Sequence, residues 1–485
     1  MYNRLQMKVE RLISQCDLDL KQGRADLVHL RLKSLKIMSV NRENRLPLAK
    51  ICRRAGLNEQ GLKLLGPLMH PEKNPWRLVP KASEISEYAI LLSKNGNTLE
   101  ALRRLDTISD SALAEVTLHR AYCHMARWEY ADAVLHLERF LATAPDAYDR
   151  LVALVNLAAC EILLQRWDRA REILSEIIPI CRKQHYKRLL ANTLELRGQV
   201  HLSHRCWRKA DDDLNTAAAL LASEATADAL FIEKWRAFVN GLRDNCTDPI
   251  RAFRLKAEIH GHWESVRDAD RVSLKICFDE TQFQFLLYGT SFASYRQLIC
   301  EEFHHSLPSG AFIWGDATAA MRLDLRHRTR LSPVLCALLS DFYRPIRLGV
   351  LFTQLYPSDQ FDVFSSYNRL HQALWRARLE IEKNHLPLKI VSDAGGFRLV
   401  RTGSVAVALP FAPVPPDFAW VQAVRERFAN QRFSAAEACV TLRTSRTRFQ
   451  RWAREKIDEG TLSRTFSGNA ICYRLMDHPS GRLKS

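Results

Sequence analysis

Between Phe364 and Lys383, five polar side chains fall on one face of a helical stretch: Ser365, Asn368, Arg369, Gln372 and Arg376. Their donors and acceptors suit base edges and phosphates, since arginine pairs with guanine and asparagine or glutamine with adenine. Tyr367, Leu370, Leu374, Ala377 and Ile381 recur at helical steps on the opposite side, which predicts the buried stripe. Ser365 or Ser366 is placed to cap the helix, leaving backbone amides free for a phosphate. Lys389 and Arg398, a little farther on, are candidate phosphate ligands. A second set of the same kind follows in Thr444, Arg446, Thr447, Gln450, Arg451 and Arg454, with Phe449, Ala453 and Ile457 facing inward by spacing. A solvated polar face is the bland alternative for both sets. What argues against it is the hairpin pattern that follows each.

The elements that must position these residues read off in order. Ala311–Trp314 and Met321–Leu325 predict short strands, and Ser332–Phe342 and Ile346–Leu355 predict helices ahead of the long one. Leu388–Val391 and Phe397–Val400 are then joined through Asp393-Ala394-Gly395-Gly396, a turn between two strands. Farther on, Ser434 with Glu437 three residues later predicts a capping box. After Glu459-Gly460 a second hairpin runs across Gly468-Asn469 to Cys472–Leu475.

The order over residues 310–401 resembles the OmpR-type winged helix, a fold that places one helix in the DNA major groove. Residues 419–477 are similar to the helix-turn-helix and wing of many bacterial repressors, on Arg446 and Glu459-Gly460-Thr461-Leu462. No phospho-acceptor domain stands before the first module, so phosphorylation control does not come with the resemblance. Residues 402–418 hold Pro410, Pro413, Pro415 and Pro416 and predict a stiff, extended linker.

Residues 1–305 are helical in pattern throughout. Trp128-Glu129-Tyr130-Ala131, Trp167-Asp168-Arg169-Ala170 and Trp207-Arg208-Lys209-Ala210 repeat a W-x-x-A signature, followed by Leu135, Leu174 and Leu214. An aromatic early in a helix and a small residue one turn later let the next helix approach closely. The signature resembles the tetratricopeptide repeat, which stacks helix pairs into a solenoid. The period is longer than that family's, and its regular glycine and proline marks are missing.

Charge says where polyanions would be met. The formal net charge is +17. Arg322–Arg401 carries 13 basic residues against 7 acidic, and Asp417–Ser485 carries the same, so the excess is concentrated in the two C-terminal modules. The 12 cysteines are scattered without a CxxC pair, which predicts reduced thiols rather than a zinc ribbon or disulfide framework. His201, His204 and Cys206, and Cys300 with His304 and His305, lack a fourth ligand at useful spacing, so no metal is expected. No catalytic motif is present, and neither an enzyme nor a cofactor is expected. No apolar run has membrane-spanning length, and the first residues lack the apolar core of a secretory signal.

The fold expected is mainly α: a tetratricopeptide-like solenoid with two C-terminal winged-helix (α+β) domains. The function expected is a cytoplasmic, bacterial, sequence-specific DNA-binding regulator of transcription. Its partners would be double-stranded DNA and a protein or peptide held by the repeats, with no membrane. The alternative is a non-enzymatic interaction scaffold whose winged helices serve for docking. Neither the target sequence nor the direction of regulation, the signal or the oligomeric state is legible.

Overall fold

A computed structural model of the chain describes residues 2–21, 24–33, 35, 37–70, 79–108, 114–143, 146–221, 227–305, 312–325, 331–357, 359–393, 395–409, 424, 427–428, 431–442, 444, 446–458, 462–467 and 470–475. Two compact units result: residues 1–307 with 312–409, and residues 308–311 with 410–485. The repeat region and the first β-containing module, expected as separate domains, therefore fold together.

In the repeat region, helices come in antiparallel pairs, each joined by a turn of a few residues. Arg42–Arg54 pairs with Asn58–Met69, Ala82–Asn95 with Thr98–Leu105, and Ala114–Met125 with Tyr130–Thr143. Ala147–Leu163 with Trp167–Lys183 and Lys187–Ser203 with Trp207–Leu220 continue the series. Each turn is made by one left-handed residue: Gly56, Gly96, Trp128, Gln165 and Arg205. A small residue lies five positions later (Gly61, Ala101, Ala133, Ala170 and Ala210), and a fully buried leucine four beyond that (Leu65, Leu105, Leu137, Leu174 and Leu214). The small residue lets a neighbouring helix close in; at Gly61 an added Cβ would meet Leu91, on the first helix of the next pair, at 2.8 Å.

This register corrects the first tryptophan copy. Trp128 is the turn residue, and Tyr130 occupies the place that Trp167 and Trp207 take at the start of the next two helices. Leu135, which follows this copy at the spacing of Leu174 and Leu214, is 47% exposed, while Leu137 is buried. A bulky side chain at positive φ is costly, by about 1–3 kcal/mol. Trp128 spends that strain on packing edge-on against Tyr295, with ring centroids 4.4 Å apart. Arginine–aspartate pairs latch neighbouring helices as well, Arg197 to Asp213 at 2.5 Å and Arg254 to Asp270 at 2.6 Å. Asp211 and Asp213 thus serve as partners for Arg243 and Arg197.

Among the described residues, the β-containing part of this unit has six strands: β1 (Phe312–Gly315), β2 (Arg322–Asp324), β3 (Ile346–Arg347), β4 (Leu388–Asp393), β5 (Gly396–Arg401) and β6 (Ala406–Leu409). β6 lies between β1 (antiparallel) and β2 (parallel), so residues 406–409 close a sheet instead of opening the expected linker. β5 lies between β3 and β4, antiparallel to both. Three helices accompany them, Ser332–Leu338, Leu348–Leu355 and Ser366–Lys383, with β3 between the first two. Leu370, Leu374, Ala377 and Ile381 are buried as the spacing requires, and Tyr367 is half-buried. In the second unit β7 (Phe433–Ser434), β8 (Leu462–Ser467) and β9 (Ala470–Leu475) take the order β7–β9–β8. Helices Ala435–Thr441 and Arg446–Asp458 pack on them around Phe433, Phe449, Trp452 and Tyr473, and Ser434 and Glu437 form the capping box.

The repeats meet the first module backbone to backbone. The turn Asn95-Gly96-Asn97 presses on the start of helix Leu348–Leu355: a Cβ on Gly349 would lie 2.2 Å from the Asn95 carbonyl oxygen. Gly96, at φ +102, faces Val350 just as tightly. Because the obstruction at Gly349 is backbone, it cannot swing aside. Gly349→Ala is expected to lower stability by about 1–3 kcal/mol through overpacking, read as an earlier midpoint in chemical denaturation. An unchanged midpoint would mean that the seam yields without cost.

Candidate nucleic-acid interface

Helix Ser366–Lys383 carries its polar face outward. Asn368, Gln372 and Arg376 are exposed, and no hydrogen bond or ion pair engages their side chains among the described residues. Arg369 is exposed but held: its guanidinium pairs with Asp359 at 2.7 Å and lies 4.2 Å from the Tyr356 ring centroid. Held in this way, Arg369 is a pre-oriented cation rather than a free one. Trp375, 58% exposed, and Leu379, 44% exposed, share this surface. Leu379 borders a groove of about 840 Å³ whose lining includes Leu355, Tyr356, Arg376 and Lys383.

Two expectations about this face are corrected. Ser365 makes no capping bond from its side chain to the helix. Its hydroxyl instead donates to the carboxylate of Asp362 at 2.6 Å, and Asp362 also accepts the Phe364 amide. Arg398 is not a free phosphate ligand either. It donates to the Tyr343 carbonyl at 3.1 Å, sits 5.0 Å from the Trp263 ring and lies 3.6 Å from Asp393, so it serves the contact with the repeats. Lys389 is exposed.

In the second unit Arg446, Gln450 and Arg454 are exposed on helix Arg446–Asp458, opposite the buried Phe449 and Ala453. Thr444 precedes the helix and is half-buried with its hydroxyl enclosed, so it does not join that face. The side chains of Thr447 and Arg451 lie outside the described residues.

The first module is bolted to the repeats at two places. At one, the Asn97 amide donates to the Gly349 carbonyl (2.9 Å), Tyr88 donates to the Phe361 carbonyl (3.3 Å), and Glu100 accepts the Phe361 amide (2.8 Å). Burial raises the Glu100 carboxyl above its usual range despite that bond and Arg104. At the other, buried Arg267 reaches Asp341 at 2.9 Å and Glu264 at 3.0 Å, while Arg344 bridges the same two acids at 2.8 and 3.2 Å. Burial works against the Arg267 charge, yet Glu264 and Asp341 outweigh it and hold its pKa above the ordinary arginine value.

One group with metal-ligand chemistry escaped sequence reading, because its members lie across a turn: His124, Glu129 and Asp132, whose ligand atoms fall within 4.8 Å of one another. Glu129 is already engaged by His124 (2.8 Å) and Arg127 (2.8 Å), which hold its carboxyl below the usual range against the effect of burial. Of the two histidine–cysteine groups in the sequence, the first has its imidazoles engaged within the repeats: His204 Nδ1 contacts the Val200 carbonyl and His201 faces Asp213.

Residues 124–193 match the family model of the tetratricopeptide repeat, so the chain holds a region of that class. Among solved structures it is similar to a Rap protein complexed with competence and sporulation factor, at 12% identity and a TM-score of 0.42, over 61% of this chain and 90% of the other. It is also similar to the apo form of RapI, at 13% identity and a TM-score of 0.37, over 61% and 97%. No curated protein matches the chain. Among the described residues, no helix is long and apolar enough to cross a membrane.

Removing Asp341 would leave buried Arg267 with only Glu264, a more exposed partner, among the acids that pair with it here. Asp341→Ala is therefore expected to cost about 3–5 kcal/mol of stability in equilibrium unfolding. Asp359→Ala, which breaks an exposed pair, should cost about 1 kcal/mol or less. Equal effects at the two sites would contradict the assignment of a buried anchor.

Proposed function

We propose that this protein is a non-enzymatic interaction scaffold of the helical-repeat class that carries two DNA-reading winged helices, and so acts as a transcription regulator. The repeat match supports the scaffold. The DNA-reading half rests on one observation. The order helix, β3, helix, long helix, β4, β5 with β5 central supports a winged-helix reading, and the long helix turns Asn368, Gln372 and Arg376 to solvent. The second unit repeats the arrangement with β9 central and Arg446, Gln450 and Arg454 exposed. Side chains of these types read base edges when a helix enters the major groove. Two modules on one chain raise each other's effective concentration once one has docked, so adjacent half-sites could be held without dimerisation.

A second reading, docking of a protein on the same surface, is favoured by the exposed Trp375 and Leu379, since contiguous apolar exposure marks partner sites.

Selection from a random pool of duplexes separates the two. Under the DNA reading the full chain enriches a defined sequence, and the Gln372→Ala/Arg376→Ala variant loses tenfold or more of that preference, at about 1–3 kcal/mol per base contact. If the wild type enriches nothing and its binding vanishes at moderate salt, the docking reading takes its place.

A further inference from the structure

The seam between the repeats and the first module gathers positive charge from both sides. Arg347, the last residue of β3, donates from its guanidinium to the Lys94 carbonyl at 3.3 Å. Farther along, Arg103 donates to the Pro357 carbonyl at 3.4 Å, in the loop that leads into helix Ser366–Lys383. Lys94, Arg103 and Arg347 are all exposed, and no carboxylate pairs with any of them among the described residues. The acids nearby are committed elsewhere: Glu87 to Arg53, Glu100 to Arg104, and Asp359 to Arg369.

The charges feel one another. Partial burial, then Arg53 and Arg347, push the Lys94 ammonium below its usual lysine value, with Glu87 opposing. Burial and Arg344 do the same to Arg347, against Glu264. Like charges held together without a counter-ion raise the local potential, and a polyanion relieves that repulsion. Position narrows the choice of anion. Arg347 pairs with Gly396 at the wing turn, and Arg103 touches the loop just before the long helix, so the cations flank the proposed reading surface. Since the close contacts of Gly349 with Asn95 and of Gly96 with Val350, together with the bonds of Asn97, Glu100 and Tyr88, fix the seam, these cations are pre-positioned, not mobile.

We infer that Lys94 and Arg103, contributed by the repeat region, join Arg347 in seating the phosphate backbone of double-stranded DNA beside helix Ser366–Lys383. The inference rests on the DNA reading proposed above and extends it: the repeats belong to the DNA interface itself. They would add affinity without sequence preference, because phosphate contacts carry no base information.

The test is a salt titration of the full chain with a fluorescent duplex drawn from the selected pool. Wild type, Lys94→Ala, Arg103→Ala and the double variant are compared with Gln372→Ala/Arg376→Ala. Each seam substitution should lower the slope of log affinity against log salt by about one and weaken all duplexes alike. Sequence preference should stay intact, whereas the helix variant should lose it. Both seam side chains are exposed, so melting temperatures should match wild type; Lys94→Glu, by reversing the charge, should weaken binding further. Wild-type slope in the double variant and in Lys94→Glu would overturn the inference and leave the DNA reading standing. A wild-type chain that binds no duplex would overturn both.

Discussion

Arg267 carries its charge in near-complete isolation from water, and the larger unit is organised around holding that charge. Such an ion costs several kcal/mol to bury, and only well-placed counter-charges make it tolerable. Glu264, one turn earlier on the same helix, supplies one; Asp341, from the β-containing module, supplies the other. Asp341 accepts the backbone amides of Tyr343 and Arg344 as well, so the carboxylate that answers Arg267 also shapes the turn leading into β3. Shifting the module along the repeats would leave a buried ion without its partner. The pair thus sets register more than it adds net stability. At the other end, Asn97, Glu100 and Tyr88 answer backbone groups at Gly349 and Phe361, groups that would otherwise be buried without a partner.

Some of this was legible from the residues and some was not, for physical reasons. The long helix and its hairpin were readable because helix phase and turn chemistry are local: Leu370, Leu374, Ala377 and Ile381 define the stripe, and Gly395 supplies the left-handed turn at φ +79. The repeat phase is not legible at Trp128, because it is set by that residue's left-handed backbone angle, which residue type does not reveal. The steadier signal was quieter, an alanine or glycine with a leucine four residues on. The seam was invisible because it pairs residues some 250 positions apart, Asn97 with Gly349 and Tyr88 with Phe361. No periodicity links such partners. Arg398 and Ser365 failed as candidates for a related reason, since partners far along the chain or just upstream had already claimed them.

This mounting limits how a signal in the repeats could reach the first module. Simple release would require breaking the buried Arg267–Asp341 pair and several buried hydrogen bonds at once, a cost approaching the whole stability of many domains. A partner on the repeats would more readily alter what the rigid body presents than detach part of it.

The charge distribution carries the same logic outward. Acids are disproportionately drawn inside: Asp19, Glu84, Glu87, Glu100, Glu161, Asp213, Asp270 and Asp341 are all buried. Their arginine partners are amphipathic and keep part of their length in water. Arg24 and Arg31 remain 45% and 39% exposed over a fully buried Asp19, and Arg166 and Arg169 remain 51% and 43% exposed over a fully buried Glu161. Each such pair is a dipole with its positive end toward solvent. A formal +17 therefore understates how cationic the surface is to an approaching polyanion. The acids that stabilise the repeats from within are absent from the outside, where they would repel one.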